Sequence, residues 1–342
     1  MLRLLTDDAA LPGLLFAMCF DRHGVGHPVT SGAELPGLDA EGEGFVWLHV
    51  DLIDARVEGL IAQGRLGPSR LAAATFARDG HQRVVTEDSA LGLVIADRER
   101  DFGGSVSDEP SGRLHCVLGE RYLVSGRRHA TACAEAARDT VLSGLIATSP
   151  ARVLELFVGN VVGAIEASAL RISEELDAIE DRILDEAGAD EIRPLAPIRR
   201  QAVRLRRQLA GLGAVFHRLE AETEDEGAAL PEAVVAMASR IVQRLDSLDR
   251  DMAVLAERSR LLQDEIAGRT AAETNRQLFT LSVLTALFLP ATLVTGVFGM
   301  NTKGLFLGDF ENGSTIALGI GALSALAVFL VIRRLGLSRR GR

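Results

Sequence analysis

Residues 277–302 read QLFTLSVLTALFLPATLVTGVFGMNT and contain no charged side chain. A helix needs about 20 predominantly apolar residues to cross the hydrocarbon core of a bilayer, and Leu278 to Phe298 supplies that length. A second uncharged run of similar length, from Gly313 to Ile332, follows after a short link. Because a membrane segment must satisfy its own backbone groups, the two runs predict a helical hairpin in the lipid bilayer. The alternative is a pair of apolar helices buried in a soluble core.

Arginines flank the predicted hairpin on both of its chain ends. They are Arg258, Arg260, Arg269 and Arg276 before the first run, and Arg333, Arg334, Arg339, Arg340 and Arg342 after the second. The link carries one cation, Lys303, against Asp309 and Glu311. Since cytoplasmic flanks carry the excess of basic residues, both termini are predicted to face the cytoplasm and the link to face outside.

Composition narrows the class of protein further. The chain has 342 residues and a net charge of −10, which argues against a nucleic-acid partner because such a protein needs a basic face. Its three cysteines (Cys19, Cys116 and Cys133) lie far apart and have no zinc-ligand spacing, which is typical of buried thiols in a reducing compartment. The first twelve residues lack a long apolar core, so no secretory signal peptide is predicted.

Residues 1–145 are predicted to form a cytoplasmic α/β domain, which makes the whole chain α+β. Runs typical of strands are Leu14–Phe20, Phe45–Val50, Leu91–Ala96, Leu114–Leu118 and Tyr122–Ser125. Helical stretches lie around Arg56–Gln63, Pro68–Ala77 and Ala130–Ala137. Asp51 and Asp54 are positioned to cap the first of these helices.

Residues 146–276 are predicted to form a stalk or funnel of long helices, because apolar residues follow helical spacing and breakers are rare. The third helix begins near Pro231 and meets no proline until Pro290, so it runs into the first span. Its apolar stripe comprises Ile241, Leu245, Leu248, Met252, Leu255, Leu262 and Ile266. From Pro231 to Phe298 this helix would be about 100 Å long. Such a rod, entering a membrane, predicts an oligomer around a central axis.

Charge changes sign between the first two stalk helices. The acidic residues are Glu174, Glu175, Asp177, Glu180, Asp181, Asp185 and Glu186, and the basic ones are Arg193, Arg199, Arg200, Arg204, Arg206 and Arg207. Gly188 and Pro194 mark the turn between them, so the two helices are predicted to form an antiparallel hairpin with complementary faces. The alternative is solvated surface charge that stabilises little.

The triplet Gly299-Met300-Asn301 stands at the outer end of the first predicted span, directly after Phe298. In this position the chain resembles the CorA family of divalent-cation transporters, whose signature is a Gly-Met-Asn-type triplet at the end of the first of two C-terminal spans. The run from Phe288 to Thr292, with Pro290, is also similar to that family's first span.

Within the family, the chain is most similar to the zinc-transporting ZntB branch. The similarity lies in the opening Phe16–Asp21, in Trp47-Leu48-His49 and in the run from Arg276 to Gly299. Two features depart from that branch: it usually has Val or Ile where Met300 stands, and Thr302–Leu305 replaces its MPEL sequence. The N-terminal and span resemblance favours Zn²⁺ as the transported ion. Met300 is typical of magnesium-transporting members, so transport of Mg²⁺ or Co²⁺ stays open as the alternative.

The resemblance implies a homopentamer in the bacterial inner membrane, with the first span (277–301) of each subunit lining a pore. The other parts would be an outer loop (302–312), a second span (313–332) and a basic cytoplasmic tail (333–342). A ring of Asn301 side chains at the mouth would offer neutral oxygen dipoles to a hydrated divalent cation. Carboxylates there would hold the ion more tightly and slow its release.

One face of the first span is predicted to line this pore, because its members follow each other at three or four residues. The residues are Gly299, Gly296, Thr292, Leu289, Thr285, Ser282, Leu278 and Asn275, and Asp264 lies on the extension of the same face. The alternative for Thr285 and Thr292 is a hydroxyl bonded to the carbonyl four residues earlier. For Asp264 it is an ordinary surface charge.

The resulting prediction is a transporter with no resident cofactor and no catalytic residues, in which a divalent cation crosses the membrane through a pentameric channel. Lys303 conflicts with a cation path at the outer mouth unless Asp309 and Glu311 offset it or its side chain points away. A membrane-anchored metal sensor is the competing hypothesis, and ion flux would distinguish the two.

Overall fold

The structure is a computed structural model that describes residues 11–30, 37–38, 44–100, 111–184, 195–224, 230–300 and 313–334. The chain divides into two compact units. The first unit comprises Met1–Glu180 and Pro194–Ser259, and the second comprises Asp181–Arg193 and Arg260–Arg342.

A seven-stranded sheet organises the first unit, in the order β2-β1-β3-β7-β6-β5-β4. The strands are β1 (Leu14–Phe20), β2 (Gly26–Pro28), β3 (Phe45–Asp51), β4 (Arg83–Glu87), β5 (Ala90–Asp97), β6 (Gly112–Leu118) and β7 (Tyr122–Arg127). The β3–β7 pair is parallel and the other neighbours are antiparallel. Three short helices accompany the sheet: α1 (Arg56–Ala62), α2 (Ser69–Thr75) and α3 (Ala132–Leu142).

The five predicted strands and three predicted helices are all present, with small shifts at their ends. Strand β5, which lies between β6 and the edge strand β4, is buried at every position, as its run of apolar residues indicates. The Asp54 carboxylate accepts a hydrogen bond from the backbone N–H of Arg56 at 3.0 Å, but the N-cap residue of α1 is Ala55 and makes no side-chain cap bond, so the predicted capping by Asp51 and Asp54 is wrong. Strands β2 and β4, the two edges of the sheet, were not predicted.

Three long helices follow the sheet: α4 (Pro150–Leu184), α5 (Ala196–Glu224) and α6 (Glu232–Gly299). Apolar side chains at helical spacing pack them together within the first unit, among them Phe157 of α4, Phe216 of α5 and Met237 of α6. The ring of Phe157 also lies 5.3 Å from that of Trp47, which joins α4 to the sheet. The core of this unit therefore continues from the sheet into the helices.

Ion pairs between the three long helices show in which direction each one runs relative to the others. From the N-terminal end of α4 onward, Glu155 contacts Arg240, Glu166 contacts Arg244, and both Asp177 and Glu180 contact Arg258, so α4 and α6 run parallel. On α5, Arg206 contacts Asp249 and His217 contacts Asp246, so α5 runs antiparallel to α6.

The predicted antiparallel arrangement of α4 and α5 is therefore present, but its charge pairing differs from the prediction. Asp177 and Glu180 bind Arg258 of α6 instead of the basic start of α5. The reason is that α6 runs alongside α4 and brings its own arginines to the acidic face. The guanidinium of Arg258 lowers the pKa of Glu180 through a hydrogen bond.

The second unit contains the C-terminal part of α6 and α7 (Gly313–Arg334). Among the described residues, three helices are long and apolar enough to cross a membrane: α4, α6 and α7. In the most apolar window of α4, 39% of the residues are buried inside the protein, against 0% for α6 and 11% for α7. Many apolar residues of α4 thus belong to the core of the first unit, whereas those in the apolar windows of α6 and α7 are mostly not buried inside the protein.

Candidate functional site

The terminal segment of α6, from Asn275 to Met300, has one half-buried stripe. Its members recur at three or four residues and are Phe279, Val283, Ala286, Leu287, Pro290, Ala291, Val294 and Phe298. This spacing places them on one side of the helix. The rest of the segment is exposed.

The buried side of α7 carries small residues and contacts this stripe at Ala291. Gly313, Ala317 and Gly321 recur every four residues along α7, and all three are buried. A Cβ atom added to Gly321 would lie 3.9 Å from the Cα atom of Ala291 on α6. Small residues at this spacing allow helix backbones to approach closely in a membrane. The spacing is visible in the sequence, yet it was not recognised there as a packing face.

The face predicted to line a pore lies outside that contact. Every predicted member on α6 is exposed: Asn275, Leu278, Ser282, Thr285, Leu289, Thr292, Gly296 and Gly299. The exposed fractions of Leu278 and Leu289 are 57% and 62%. The structure thus gives α6 two different faces, one packed on α7 and one left open.

The two threonine hydroxyl groups on the open face bond to their own helix. Thr285 Oγ1 donates to the carbonyl of Leu281 at 2.9 Å, and Thr292 Oγ1 donates to the carbonyl of Phe288 at 2.8 Å. This is the alternative that the sequence left open for both threonines. A hydroxyl that donates to the backbone keeps acceptor lone pairs on its oxygen, so each threonine still presents a neutral oxygen ligand.

The structure describes the end of the open face near Asn275 fully, and it describes the other end only as far as Met300. At one end, Asn275 and Asp264 are both exposed and lie about three helical turns apart on the same side of α6. At the other end, α6 finishes at Gly299 and the exposed Met300 follows. Asn301, Lys303, Asp309 and Glu311 lie outside the described residues.

Between Asn275 and Gly299, the side-chain ligands that the open face offers are neutral. Within the described ranges there is no group of three or more His, Cys, Asp or Glu side chains that could hold a metal ion. The oxygen atoms on the face come from hydroxyl and amide side chains, at Thr292, Thr285, Ser282 and Asn275. Such oxygens solvate a passing cation or its hydration water without holding it as a carboxylate cage would.

Residues 42–334 match the sequence model of a family described as CorA-like Mg²⁺ transporter protein. The chain belongs to this family. The match covers most of the sheet, all the long helices and both apolar C-terminal segments, and it confirms the resemblance found from the triplet and the two predicted spans.

Individual proteins are similar to this chain in sequence or in fold. The chain is 25% identical over 324 residues to the zinc transport protein ZntB of Cronobacter sakazakii, with 91% of each chain covered. The full-length CmaX protein has the same fold, with a TM-score of 0.73 at 20% identity, covering 96% of this chain and 99% of CmaX. The complete CorA magnesium transporter of Methanocaldococcus jannaschii gives a TM-score of 0.66 at 14% identity, covering 93% and 97%.

Proposed function

We propose that this protein carries Zn²⁺ across the bacterial inner membrane through a pore lined by α6. The observation that supports this most strongly is the open face of α6 in a chain that belongs to the CorA-like family. Thr, Ser and Asn side chains on a face that α7 leaves uncovered would be unfavourable if that face contacted lipid, and they are favourable if it contacts water. Repeated around an axis, the same face would enclose a water-filled path.

The pore is proposed to form in a homopentamer, in which five copies of α6 surround the axis and α7 lies outside them. The polar rings would come from Thr292, Thr285, Ser282 and Asn275. Leu289 and Leu278 would form apolar constrictions between them, and constrictions of this kind close by losing water. Asp264 would add negative charge to the cytoplasmic entrance.

The outer mouth is proposed to be formed by Gly299, Met300 and Asn301. Divalent cations release their hydration water reluctantly, and Mg²⁺ especially so. Neutral amide oxygens from a ring of Asn301 would hydrogen-bond that water or replace part of it, while leaving the ion free to move on. Lys303, Asp309 and Glu311 in the outer loop would then set the local charge that an arriving cation meets.

Zinc is the proposed ion because the curated relative named above is a zinc transport protein and the similarity extends over 91% of each chain. Mg²⁺ is the second candidate, and the specific feature in its favour is Met300, which is typical of magnesium-transporting members of the family. Two spans are proposed, on α6 and α7, with both termini in the cytoplasm. The proposed parts of the chain are a cytoplasmic α/β domain (1–145), a helical stalk (146–276), a first span (277–301), an outer loop (302–312), a second span (313–332) and a basic tail (333–342).

The proposal is tested by ion flux into proteoliposomes that contain Zn²⁺- or Mg²⁺-sensitive dyes. The native protein is expected to pass Zn²⁺ faster than Mg²⁺, and Asn301→Ala is expected to lower the flux by about tenfold or more because the ligand ring is lost. Asn312→Ala, which removes the same side chain from the end of the outer loop, is the matched control and should keep native flux.

The flux measurements distinguish a zinc transporter, a magnesium transporter and a membrane-anchored sensor. Faster Mg²⁺ flux that also depends on Asn301 would assign the protein to the magnesium-transporting group. The absence of flux for both ions, in correctly assembled protein, would contradict a transporter and favour a membrane-anchored sensor.

A further inference from the structure

A cavity of about 300 Å³ lies in the first unit, between α1 and α2. Three buried apolar side chains line it, those of Leu52, Val57 and Phe76. Ile61 of α1 and the exposed Ala73 of α2 also belong to the lining. The volume is at the lower end of the range of small-molecule sites, about 300–1,000 Å³, so the cavity admits a compact ligand.

The turn between α1 and α2 fixes the two helices around the cavity. Gly64 and Gly67 have φ angles of 71° and 113°, in the left-handed region that favours glycine. A Cβ atom added to Gly67 would lie 2.7 Å from Val117 Cγ1 on β6, so the turn packs closely on the sheet. Ser69 Oγ donates to the carbonyl of Ala62 at 3.3 Å and joins the start of α2 to the end of α1. The cavity is therefore formed before any ligand arrives.

The guanidinium group of Arg128 lines this otherwise largely apolar cavity. Its Nη1 donates to the carbonyl of Leu52 and its Nη2 to the carbonyl of Phe76, both at 2.8 Å. Its Nε is buried and has no hydrogen-bonding partner among the described residues. An arginine has five N–H donors, so two are used and three are left without a partner in the described part of the chain. The two backbone bonds orient the group but supply no negative charge.

The charged groups near Arg128 are arranged so that its positive charge is poorly compensated. Burial lowers the pKa of Arg128, and the positive charge of Arg78 acts in the same direction. Glu58 and Asp51 act in the opposite direction, but both carboxylates have other partners. Glu58 Oε1 lies 3.3 Å from Arg78 Nη2, and Asp51 Oδ1 accepts from the backbone N–H of Ile53 at 2.9 Å. An anion bound at Arg128 would supply the missing negative charge.

We propose that this cavity binds a compact carboxylic acid with an apolar body, such as an aromatic or a branched aliphatic acid. The carboxylate would accept charge-assisted hydrogen bonds from Arg128, whose planar group matches two carboxylate oxygens. The apolar body would lie on Leu52, Val57 and Phe76, where its burial is favourable. A single negative charge fits better than a phosphate dianion because Glu58 and Asp51 are near. This proposal does not depend on which ion the protein transports.

The test is isothermal titration calorimetry at neutral pH on the full-length protein in phosphatidylcholine nanodiscs. Phenylacetate is the probe, phenylacetamide is its uncharged analogue of the same shape, and acetate supplies the charge without the apolar body. Heats measured with empty nanodiscs are subtracted to remove partitioning into lipid. Phenylacetate is expected to bind saturably, with a Kd lower than that of phenylacetamide by about tenfold or more, and acetate is not expected to saturate.

The first pair of variants tests the charge. Arg128→Gln removes the guanidinium from the cavity, and the expected result is a Kd for phenylacetate raised by about tenfold or more. Arg70→Gln removes the same charge from an exposed position of α2 outside the cavity lining, and its Kd should stay within about twofold.

The second pair tests the cavity itself and covers the case in which Arg128→Gln fails to fold. Ala73→Phe places a ring in the cavity from an exposed position and should raise the Kd by about tenfold or more, because the space is taken. Ala136→Phe makes the same change at an exposed position of α3 outside the lining and should bind as the native protein does.

Three results would overturn the proposal. Equal affinity for phenylacetate and phenylacetamide would mean that the carboxylate is not recognised. A native Kd in folded Arg128→Gln or in Ala73→Phe would place the binding elsewhere. Absence of saturable phenylacetate binding to the native protein would exclude a site for this class of acid.

Discussion

His49 is a histidine that the fold keeps neutral. Its side chain is buried in β3, where Nδ1 lies 2.8 Å from Ser125 Oγ and the ring stacks on Phe16 at 4.9 Å. Burial lowers its pKa to about 3, and the positive charges of Arg127 and Arg138 act in the same direction. A polar residue inside a sheet is tolerated here because its hydrogen-bonding partner, Ser125, is also buried.

The lowered pKa of His49 predicts a loss of stability on mild acidification. The unfolded chain binds a proton at this residue near pH 6.5, whereas the folded protein resists protonation until about pH 3. Between these values the unfolded state holds more protons, so the free energy of unfolding falls as the pH falls, by about 2 kcal/mol at pH 5. His49→Asn keeps a polar atom near the Nδ1 position and does not titrate.

The measurement is thermal unfolding of the full-length protein in detergent, followed by circular dichroism from pH 7.5 to pH 5. The unfolding temperature of the native protein should fall more steeply than that of His49→Asn. His115, whose pKa burial also lowers, is present in both proteins and cancels in the comparison. Parallel pH curves for the two proteins would contradict the account.

At the scale of elements, the sequence is most informative where a segment is buried on both sides or strictly periodic. Strand β5 and the helices α4, α5 and α6 were predictable for that reason. The edge strands β2 and β4 were not, since β2 has three residues and β4 begins with Arg83 and ends with Glu87. Edge strands are half exposed and carry polar residues, so they lack a continuous apolar run.

The contact between α4 and α6 includes an arginine of α6 that binds two carboxylates of α4. Arg258 Nε donates to Glu180 Oε1 at 2.6 Å, and its Nη2 donates to Asp177 Oδ1 at 2.5 Å. Arg258→Gln should lower the free energy of unfolding at neutral pH by about 0.5–1 kcal/mol, a modest loss because the carboxylates are partly solvated. Arg250→Gln, on an exposed part of the same helix, is the control and should be neutral.

The same contact has a defined pH dependence. Since the folded pKa of Glu180 is lowered, its contribution is present above the ordinary glutamate pKa of 4.5 and is lost as the pH falls through the lowered value. Chemical unfolding of the two variants at pH 7 and pH 4 should therefore give curves that converge at the lower pH. A difference that grows on acidification would contradict this assignment.

The α6–α7 contact predicts a strong effect of side-chain size at one glycine. Gly321 is buried against Ala291, so Gly321→Leu would force the helices apart and should cost about 1–3 kcal/mol. Gly319 lies two residues earlier on the exposed side of α7 with open space beside it, so Gly319→Leu is the matched control. The unfolding temperature in detergent should fall for the first variant and stay near the native value for the second. Equal effects would mean that α7 packs through a different face.

At the scale of the whole molecule, local periodicity predicted the open face of α6 because helical spacing is a property of neighbouring residues. The sequence did not indicate the contact of α5 with the sheet, in which Thr86 donates a hydrogen bond to Glu222, because these residues lie far apart in the chain. The ion pairs of α4 were predicted with the wrong partner for the same reason. Long-range placement depends on the order in which α4, α5 and α6 pack, and charge alone does not determine it.

The open face of α6 is proposed to surround a water-filled path for divalent cations. This proposal is tested by cysteine accessibility in proteoliposomes, in a protein whose partly exposed Cys19 is replaced by serine. Leu289→Cys places a thiol on the open face, and Leu284→Cys places one at a similarly exposed position off that face. A small cationic thiol reagent, supplied on both sides of the membrane, reacts far faster in water than in lipid because it needs the thiolate.

If α6 lines a pore, the reagent should modify Leu289→Cys and reduce its Zn²⁺ or Mg²⁺ flux, while Leu284→Cys in lipid should stay unmodified and active. Unchanged flux in Leu289→Cys, or equal modification at both positions, would contradict a pore lined by this face.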